Sequence, residues 1–375
     1  MRKTHHTYTP SVSIAIIGGG VIGLMLARQL NKEGYDVVVL EKGITAAAEA
    51  SRAGGGIISP LHPWRYSQAM LDLAQWSHDH YREIAKELSL STGIYVPVNK
   101  TGMLIPNVDE AEAALQCSFL TAQRINAQQV AMIEPGLSDP KNSVWVPEVH
   151  NIRNPALCRA LVKDMQLRDI EILTCFDIQS VKKTSNKFTF LSKDKRKIET
   201  EKAVICAGAW SGNVLEMFVQ QLGLDALSAN LPEIFPVKGQ MIALQTRAGT
   251  LRSVLLEGHS YLIPRHDGIV LVGSTVENAD FDKQTTEKAL KKLLSFAHSH
   301  VPATRYCRVV SQWAGLRPGS HRDSPIISSI NELSGLYISV GHFRNGLLSA
   351  PASAQLAADL MADRKSNFNK QMYSL

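Results

Sequence analysis

After a largely polar and basic leader the chain runs into an apolar stretch, Val12–Ile17, interrupted only by Ser13, and then three glycines. A short run without alternation predicts a strand buried on both faces, as in a parallel sheet. Apolar residues then recur with helical spacing from Leu24 to Lys32, and Gly34 predicts the end of that helix. Val37–Leu40 predicts a second buried strand, ending at Glu41. Met70, Leu73, Ser77, Tyr81, Ile84 and Leu88 trace one face of a helix over Tyr66–Leu88, with Ser77 its one polar interruption. A short strand is expected at Gly102–Pro106 and a helix from Asp109 to about Ala127. Asn154 as cap and Pro155 at the first position start another helix, running to about Leu167.

Short strands follow at Ile170–Thr174, Ile178–Lys183 and Phe188–Ser192. A buried strand then leads into the small residues Ala207–Ser211 and a helix over Asn213–Leu222. From Leu231 to Val310 the pattern changes. Alternation at Gly239–Gln245, Tyr261–Arg265 and Ile269–Ser274 predicts an antiparallel sheet. A helix is expected over Gln284–His300, a strand over Arg305–Ala314 and a turn at Leu316–Gly319. Gly335–Val340 predicts a last strand, followed by a helix to about Ala362 and a fraying tail, Asp363–Leu375. This order predicts a discontinuous nucleotide domain (1–90, 146–230 and 310–375) and a sheet-based substrate domain (91–145 and 231–309).

Composition narrows the function. The chain has 375 residues, 45% hydrophobic and 20% charged, with a formal charge of +6. It carries no apolar run near the length of a membrane span and no Lys/Arg block interleaved with aromatics. Neither a transmembrane segment nor nucleic-acid binding is expected. Met1–Pro10 lacks the long apolar core of a signal peptide, which predicts a short disordered leader on a cytoplasmic protein. Five cysteines, widely spaced and without a C-x-x-C, predict reduced, mostly buried thiols. His78 and His80 lack metal-ligand spacing and read as surface residues; no metal is expected.

The chemistry concentrates at the first turn. Gly18-Gly19-Gly20-Val21-Ile22-Gly23 fits G-x-G-x-x-G between strand and helix. Gly18 permits the tight turn, Gly20 lets the backbone approach a pyrophosphate, and Gly23 lets helix and strand pack closely. The helix N-terminus, at Val21 and Ile22, offers free N–H groups to phosphate. Glu41, followed by Lys42, stands where an acid accepts hydrogen bonds from a ribose. The small-residue stretch after it offers Ser51, Arg52, Gly55 and Gly56 to a phosphate or a flat ring. Further cofactor contacts are expected at Val181, at Ala207, Gly208 and Trp210, and at Gly341, His342, Phe343, Arg344, Asn345, Gly346 and Leu347. The helix after Gly346 would aim its N-terminus at a flavin edge that gains negative charge on reduction; from pattern alone, a glycine-bounded helix start fits equally.

IIGGGVIG, VVLEKG, CAGAWSG, PVKGQ, SYLIPR, WAGLRPG and GHFRNGLLSAP resemble the FAD-dependent D-amino-acid oxidase superfamily, and most closely its glycine-oxidase branch. The likeness runs from about Val12 to Ala362. It implies a Rossmann-like FAD-binding domain joined to an antiparallel-sheet substrate domain, an α/β fold with an α+β part. It also implies Arg317 on the substrate carboxylate with Tyr261 beside it, Arg344 as a second pocket arginine, and His259 at the pocket side. The expected reaction is oxidative deamination of glycine, sarcosine or a small D-amino acid. Hydride passes from Cα to flavin N5, and oxygen is reduced to peroxide. A D-amino-acid dehydrogenase using a quinone or other acceptor is the second reading. A non-catalytic flavin protein, or one acting on RNA bases, is the third. Related flavoproteins attach the flavin to a cysteine near the segment that here reads WAGLRPG; that segment has none, so non-covalent FAD is expected. Homo-oligomers and a link to thiamine biosynthesis are expected from the resemblance alone. Arg52, the His62–Arg65 segment and Val276 depart from the pattern. His62–Arg65 faces either the flavin or solvent on this reading.

Overall fold

In a computed structural model, residues 11–106, 108–119, 121–184, 186–224 and 231–375 are described. The leader Met1–Pro10 lies outside them. Two eight-stranded sheets organise the chain. The first runs in the order Ile326–Ser329, Leu336–Val340, Lys197–Ile205, Ser11–Ile17, Val37–Leu40, Glu171–Leu173, with Phe188–Ser192 and Ile178–Lys183 attached as an antiparallel meander. Its five strands from Leu336–Val340 to Glu171–Leu173 are parallel, which accounts for the near-continuous apolar runs: both faces are covered. Helices Val21–Lys32, Gln68–Thr92, Asn154–Leu167 and Gly346–Met361 pack one face around Leu24, Leu73, Leu161 and Leu356. The other face buries Phe188, Phe190 and Phe218, the last from the helix Ser211–Leu222.

The second sheet runs Arg308–Gly319, Phe235–Gln245, Ile269–Gly273, Ser260–Pro264, Val254–Glu257, Met103–Ile105, Ser143–Val146, Gln123–Ile125. Every pairing is antiparallel except Val254–Glu257 with Met103–Ile105. Alternation divides its faces. Ile242, Leu244, Leu262, Val270 and Val272 pack under the helix Glu287–His300. Met241, Tyr261 and Ile263 point the other way.

The interruption at Ser77 has a structural reason. Pro351 lies inside the final helix and has no N–H to give the carbonyl of Leu347, four residues back. The Tyr81 hydroxyl donates to that carbonyl instead, and the Ala352 N–H is taken up by Ser77 Oγ at 3.1 Å. The polar residue on an apolar helix face thus serves a proline kink in its neighbour.

Several expectations are corrected. The helix expected from Asp109 to Ala127 spans Val108–Gln116. Asn126 and Gln129 form a capping box that opens a separate helix, Ala127–Ile133, after the strand Gln123–Ile125. Leu316–Gly319 is no turn. Arg308–Gly319 is one continuous strand on the outer edge of the second sheet, where a missing proline N–H is tolerated. The domain edge expected between 309 and 310 falls inside this strand. Asn154 does not cap its helix; its side-chain amide donates to the carbonyls of Ser51 and Gly54. The tail is packed: Phe368 and Tyr373 are buried, the Tyr373 hydroxyl donates to Ala69 O, and Arg322 holds the Met372 and Ser374 carbonyls. Of the free cysteines only Cys158 and Cys206 are buried. No helix among the described residues is long and apolar enough to cross a membrane.

Candidate active site

A cleft of about 820 Å³ lies where the parallel strands end and the second sheet begins. Its nucleotide side is built by close backbone approach. Gly18 has φ +112°, and a Cβ there would lie 2.4 Å from the carbonyl oxygen of Cys206 on the neighbouring strand. A Cβ on Gly23 would lie 2.1 Å from Gly18 O. Gly23 stands behind the cleft wall as a packing residue, while Gly18, Gly20, Val21 and Ile22 line it. No side chain of the N-cap, Gly20, caps the first helix; Ser51 Oγ accepts the Val21 N–H at 2.8 Å. Glu41 accepts the Gly19 N–H at 2.8 Å and the Gly43 N–H at 2.6 Å, tying the glycine turn to the loop after the second strand.

Glu41, Lys42, Ser51, Arg52, Gly55 and Gly56 line the cleft, as do Ala207, Gly208 and Trp210. Gly341, His342, Phe343, Arg344, Asn345, Gly346 and Leu347 close it from the last strand and helix. No N-cap side chain covers the start of the final helix, because Asn345 Oδ1 accepts from the Tyr66 hydroxyl. Val181 is not at the cleft. It is buried in the meander, its N–H bonded to Gln221 Oε1, and Phe176, Asp177 and Ile178 line the cleft in its place.

Whether these residues suit a dinucleotide can be tested on their polar atoms. Ser339 Oγ and Asn154 Oδ1 line the cleft, are buried, and have no partner in the protein. Buried polar atoms of this kind are costly unless something bonds them. Two helix starts without an N-cap side chain, a glycine cradle and orphaned polar atoms together fit a long, anionic, hydrogen-bonding group. Ser51, Glu41, Ala207–Gly208 and the Gly341–Leu347 stretch are the residues placed to hold it.

The other side of the cleft comes from the second sheet. Strand register puts Trp313, Gly315 and Arg317 opposite Met241, Gly239 and Val237, so these six share one face. Tyr261 stands across Gly273, which stands across Met241. Gly239 leaves the guanidinium its space: a Cβ there would lie 2.3 Å from both terminal nitrogens of Arg317 and displace them. Arg317 Nη2 donates to Ser274 Oγ at 2.7 Å and Nη1 to Thr275 O at 3.2 Å. Burial pushes its pKa below the ordinary arginine value; Tyr261 opposes that shift and Arg344 adds to it. Neither Arg317 nor Arg344 has an ion-pair partner among the described residues. Two uncompensated guanidiniums in one cleft suit a carboxylate.

Of the residues expected at the substrate pocket, Tyr261, Arg317 and Arg344 line the cleft, whereas His259 is exposed and does not. Val276 is also outside it and 47% exposed. Besides His342, His62 lines the cleft, with Tyr66 after it. Burial first, then Arg65, Arg344 and His259, lower the His62 pKa to about 4 against the pull of the Gly258 carbonyl. Burial lowers that of His342 to about 3. The bulky break in a small-residue stretch was the signal for His62, and the pattern gave no direction for it.

These two imidazoles predict acid sensitivity. Unfolded, each takes a proton near the ordinary histidine value of 6.5; folded, neither does until far lower pH. Their contribution to stability is therefore complete above pH 6.5 and lost as pH falls towards 4. Urea unfolding at pH 7 and 4.5 is expected to show a loss of a few kcal/mol, on the scale of about 1.4 kcal/mol per shifted unit. His62→Gln should lessen that loss.

Residues 13–360 match the family model described as FAD dependent oxidoreductase. The chain belongs to this family. It is 37% identical over 360 residues to a glycine oxidase of Pseudomonas aeruginosa, covering 95% of this chain and 96% of that one. It is 38% identical over 359 residues to a glycine oxidase of Pseudomonas putida, covering 94% of each. A crystal structure of glycine oxidase from Geobacillus kaustophilus superposes with a TM-score of 0.89 at 24% identity, over 98% of this chain and 99% of that one. The chain is thus an FAD-dependent oxidoreductase of the glycine-oxidase-like kind, with a Rossmann-like FAD-binding region and an antiparallel substrate sheet.

Proposed function

We propose that the protein oxidises glycine, sarcosine or a small D-amino acid to the corresponding imine, which hydrolyses to a 2-oxo acid and an amine or ammonia. The observation that carries this reading is Arg317: a guanidinium without a carboxylate partner, braced by Ser274 and Thr275 and facing the cleft beside Tyr261. FAD, held by Ser51, Glu41, Ala207–Gly208 and the Gly341–Leu347 stretch, would supply a hydride acceptor for the substrate Cα and a route for the electrons to oxygen. The protein's own part is placement. Arg317 takes the substrate carboxylate and fixes its angle. Tyr261, its ring packed against Gly273 and Gly55, bounds the space for a side chain. Arg344 adds positive charge at the carboxylate end. No side chain is assigned as general base.

The cofactor is held without a covalent bond on this reading. Cys206 is the cysteine that lines the cleft among the described residues, and burial pushes its thiol up to about 12, far from a nucleophilic thiolate. Acid precipitation is expected to release free FAD; a yellow pellet would contradict this. A cytoplasmic location and a homo-oligomer belong to the same proposal.

The test of the reaction is anaerobic mixing of the yellow protein with glycine, sarcosine, D-alanine, D-proline and L-amino acids, followed at the flavin band. Bleaching by the small amines, reversed by air with peroxide release, is the expected result. Bleaching with slow reoxidation by air would favour a dehydrogenase with another acceptor, and no bleaching would end the reading.

A further inference from the structure

His62 stands in a segment that the proposed reaction does not use. Its ring is buried and lines the cleft, while Arg65, three residues on, is outside the lining and pairs with Glu110. His62 Nε2 lies 3.0 Å from the carbonyl oxygen of Gly258. A carbonyl only accepts, so Nε2 carries the ring proton and Nδ1 carries the lone pair. Gly258 is the turn between Val254–Glu257 and Ser260–Pro264, the strand that bears Tyr261. Its N–H donates to Glu110 Oε2 at 2.8 Å, and Glu110 accepts from Arg65 at 3.0 Å. Both polar groups of the Gly258 backbone are therefore gripped, one by His62 and one by Glu110. No hydrogen bond among the described residues reaches Nδ1.

The polar groups around the substrate space are otherwise unbalanced. Arg317 and Arg344 donate and can serve a carboxylate, but an amine that must lose its Cα hydride also presents N–H groups. Those need an acceptor. The charged and titratable groups facing His62 are Arg65 on its own segment, His259 from the turn, Arg344 from the loop before the last helix, and Glu110 from the helix Val108–Gln116. Positive groups outnumber the one acid.

We propose that His62 selects the substrate amine: Nε2–H holds the turn that carries Tyr261, and Nδ1 accepts a hydrogen bond from the amino group, favouring primary and secondary amines over tertiary ones. This rests on the amine-oxidation reading above. His62 acts here as an acceptor and not as a base. A ring with a pKa of about 4 does not hold a proton taken from an ammonium group. A neutral tertiary amine has no N–H to offer Nδ1; glycine has two and sarcosine one.

The test compares glycine, sarcosine and N,N-dimethylglycine in wild type, His62→Leu and His62→Gln holoenzymes with matched FAD content. In the wild type, kcat/KM for sarcosine is expected to exceed that for N,N-dimethylglycine at least roughly tenfold. In H62L, losing the clamp should affect all three substrates alike, and KM for glycine and sarcosine should rise roughly 3- to 10-fold beyond that shared change, the range for one lost hydrogen bond, with a smaller change in kcat. H62Q keeps a donor and an acceptor and should recover part of the preference. A common factor across all three substrates in H62L would leave only a structural clamp and overturn the proposal. Equal use of sarcosine and N,N-dimethylglycine by the wild type would overturn it without any variant. Bleaching by none of the amines would remove the reaction and this role together, whereas bleaching with an unchanged ratio in H62L removes His62 alone.

Discussion

Arg317→Ala is expected to raise the Michaelis constant for any amino-acid substrate by two to three orders of magnitude while leaving FAD bound. Truncating one partner of a desolvated charge pair costs about 2–5 kcal/mol. Arg317 has the features that put it in that class. It is half-buried on the inner face of the second sheet, and two of its donor directions are fixed by Ser274 Oγ and Thr275 O. The bare backbone of Gly239 gives the guanidinium its space. A fork held in this way can meet both oxygens of a carboxylate at a set angle, and angle is what places Cα against a hydride acceptor. Arg317→Lys keeps the charge but offers a single flexible ammonium, so it should recover binding more than turnover. Steady-state constants for glycine and D-alanine, with flavin content checked by absorbance, decide the matter. Unchanged constants in R317A would remove the carboxylate role. Loss of flavin would instead mean that the residue supports the cofactor cleft.

Much of this site was legible because its chemistry is written in contiguous motifs. The glycine turn with its strand, helix and acid specifies a local structure, and Gly18 and Gly23 meet close backbone contacts that only glycine allows. WAGLRPG identified Arg317 but misled on its conformation. A Pro-Gly pair reads as a turn, and only the edge position of the strand, a property of the whole sheet, makes Pro318 acceptable there. His259 and His62 show the opposite limit. They are 197 positions apart in sequence, yet Gly258 brings them to the same turn, and pattern alone cannot say which ring is inside. Ser77 was similarly opaque. Its partner is an N–H displaced by a proline 274 residues later, on a helix whose neighbour the local sequence does not name. Val181 was misplaced for a simpler reason. In a meander covering one face of the sheet, the strand reads as cofactor-facing, but its alternate residues turn into the phenylalanine core.

Gly18→Ala is expected to yield protein that holds little FAD and melts well below the wild type. Two separate costs meet at this position. The backbone has φ +112°, outside the region open to an L-residue, and the new Cβ would lie 2.4 Å from Cys206 O, a backbone atom of the adjacent strand. Neither can be relieved by a rotamer change. Strain of the first kind costs about 1–3 kcal/mol, and forced overpacking costs about 1–3 kcal/mol more. The contact also sets the register Ile17↔Ile205, from which the Cys206–Gly208 backbone reaches the cleft. Moving those strands apart would displace both the glycine turn and the second approach to the cofactor. Gly34→Ala separates the two costs. Gly34 has φ +87° at the end of the same helix, with nothing within 4 Å of an added Cβ, so it bears the backbone strain without the collision. Flavin-to-protein absorbance ratios and thermal melts of the two variants should diverge: G34A retaining FAD with a modest loss of stability, G18A losing both. Full FAD occupancy in G18A, with a melt no lower than that of G34A, would mean that strand approach at Gly18 does not govern the cofactor site.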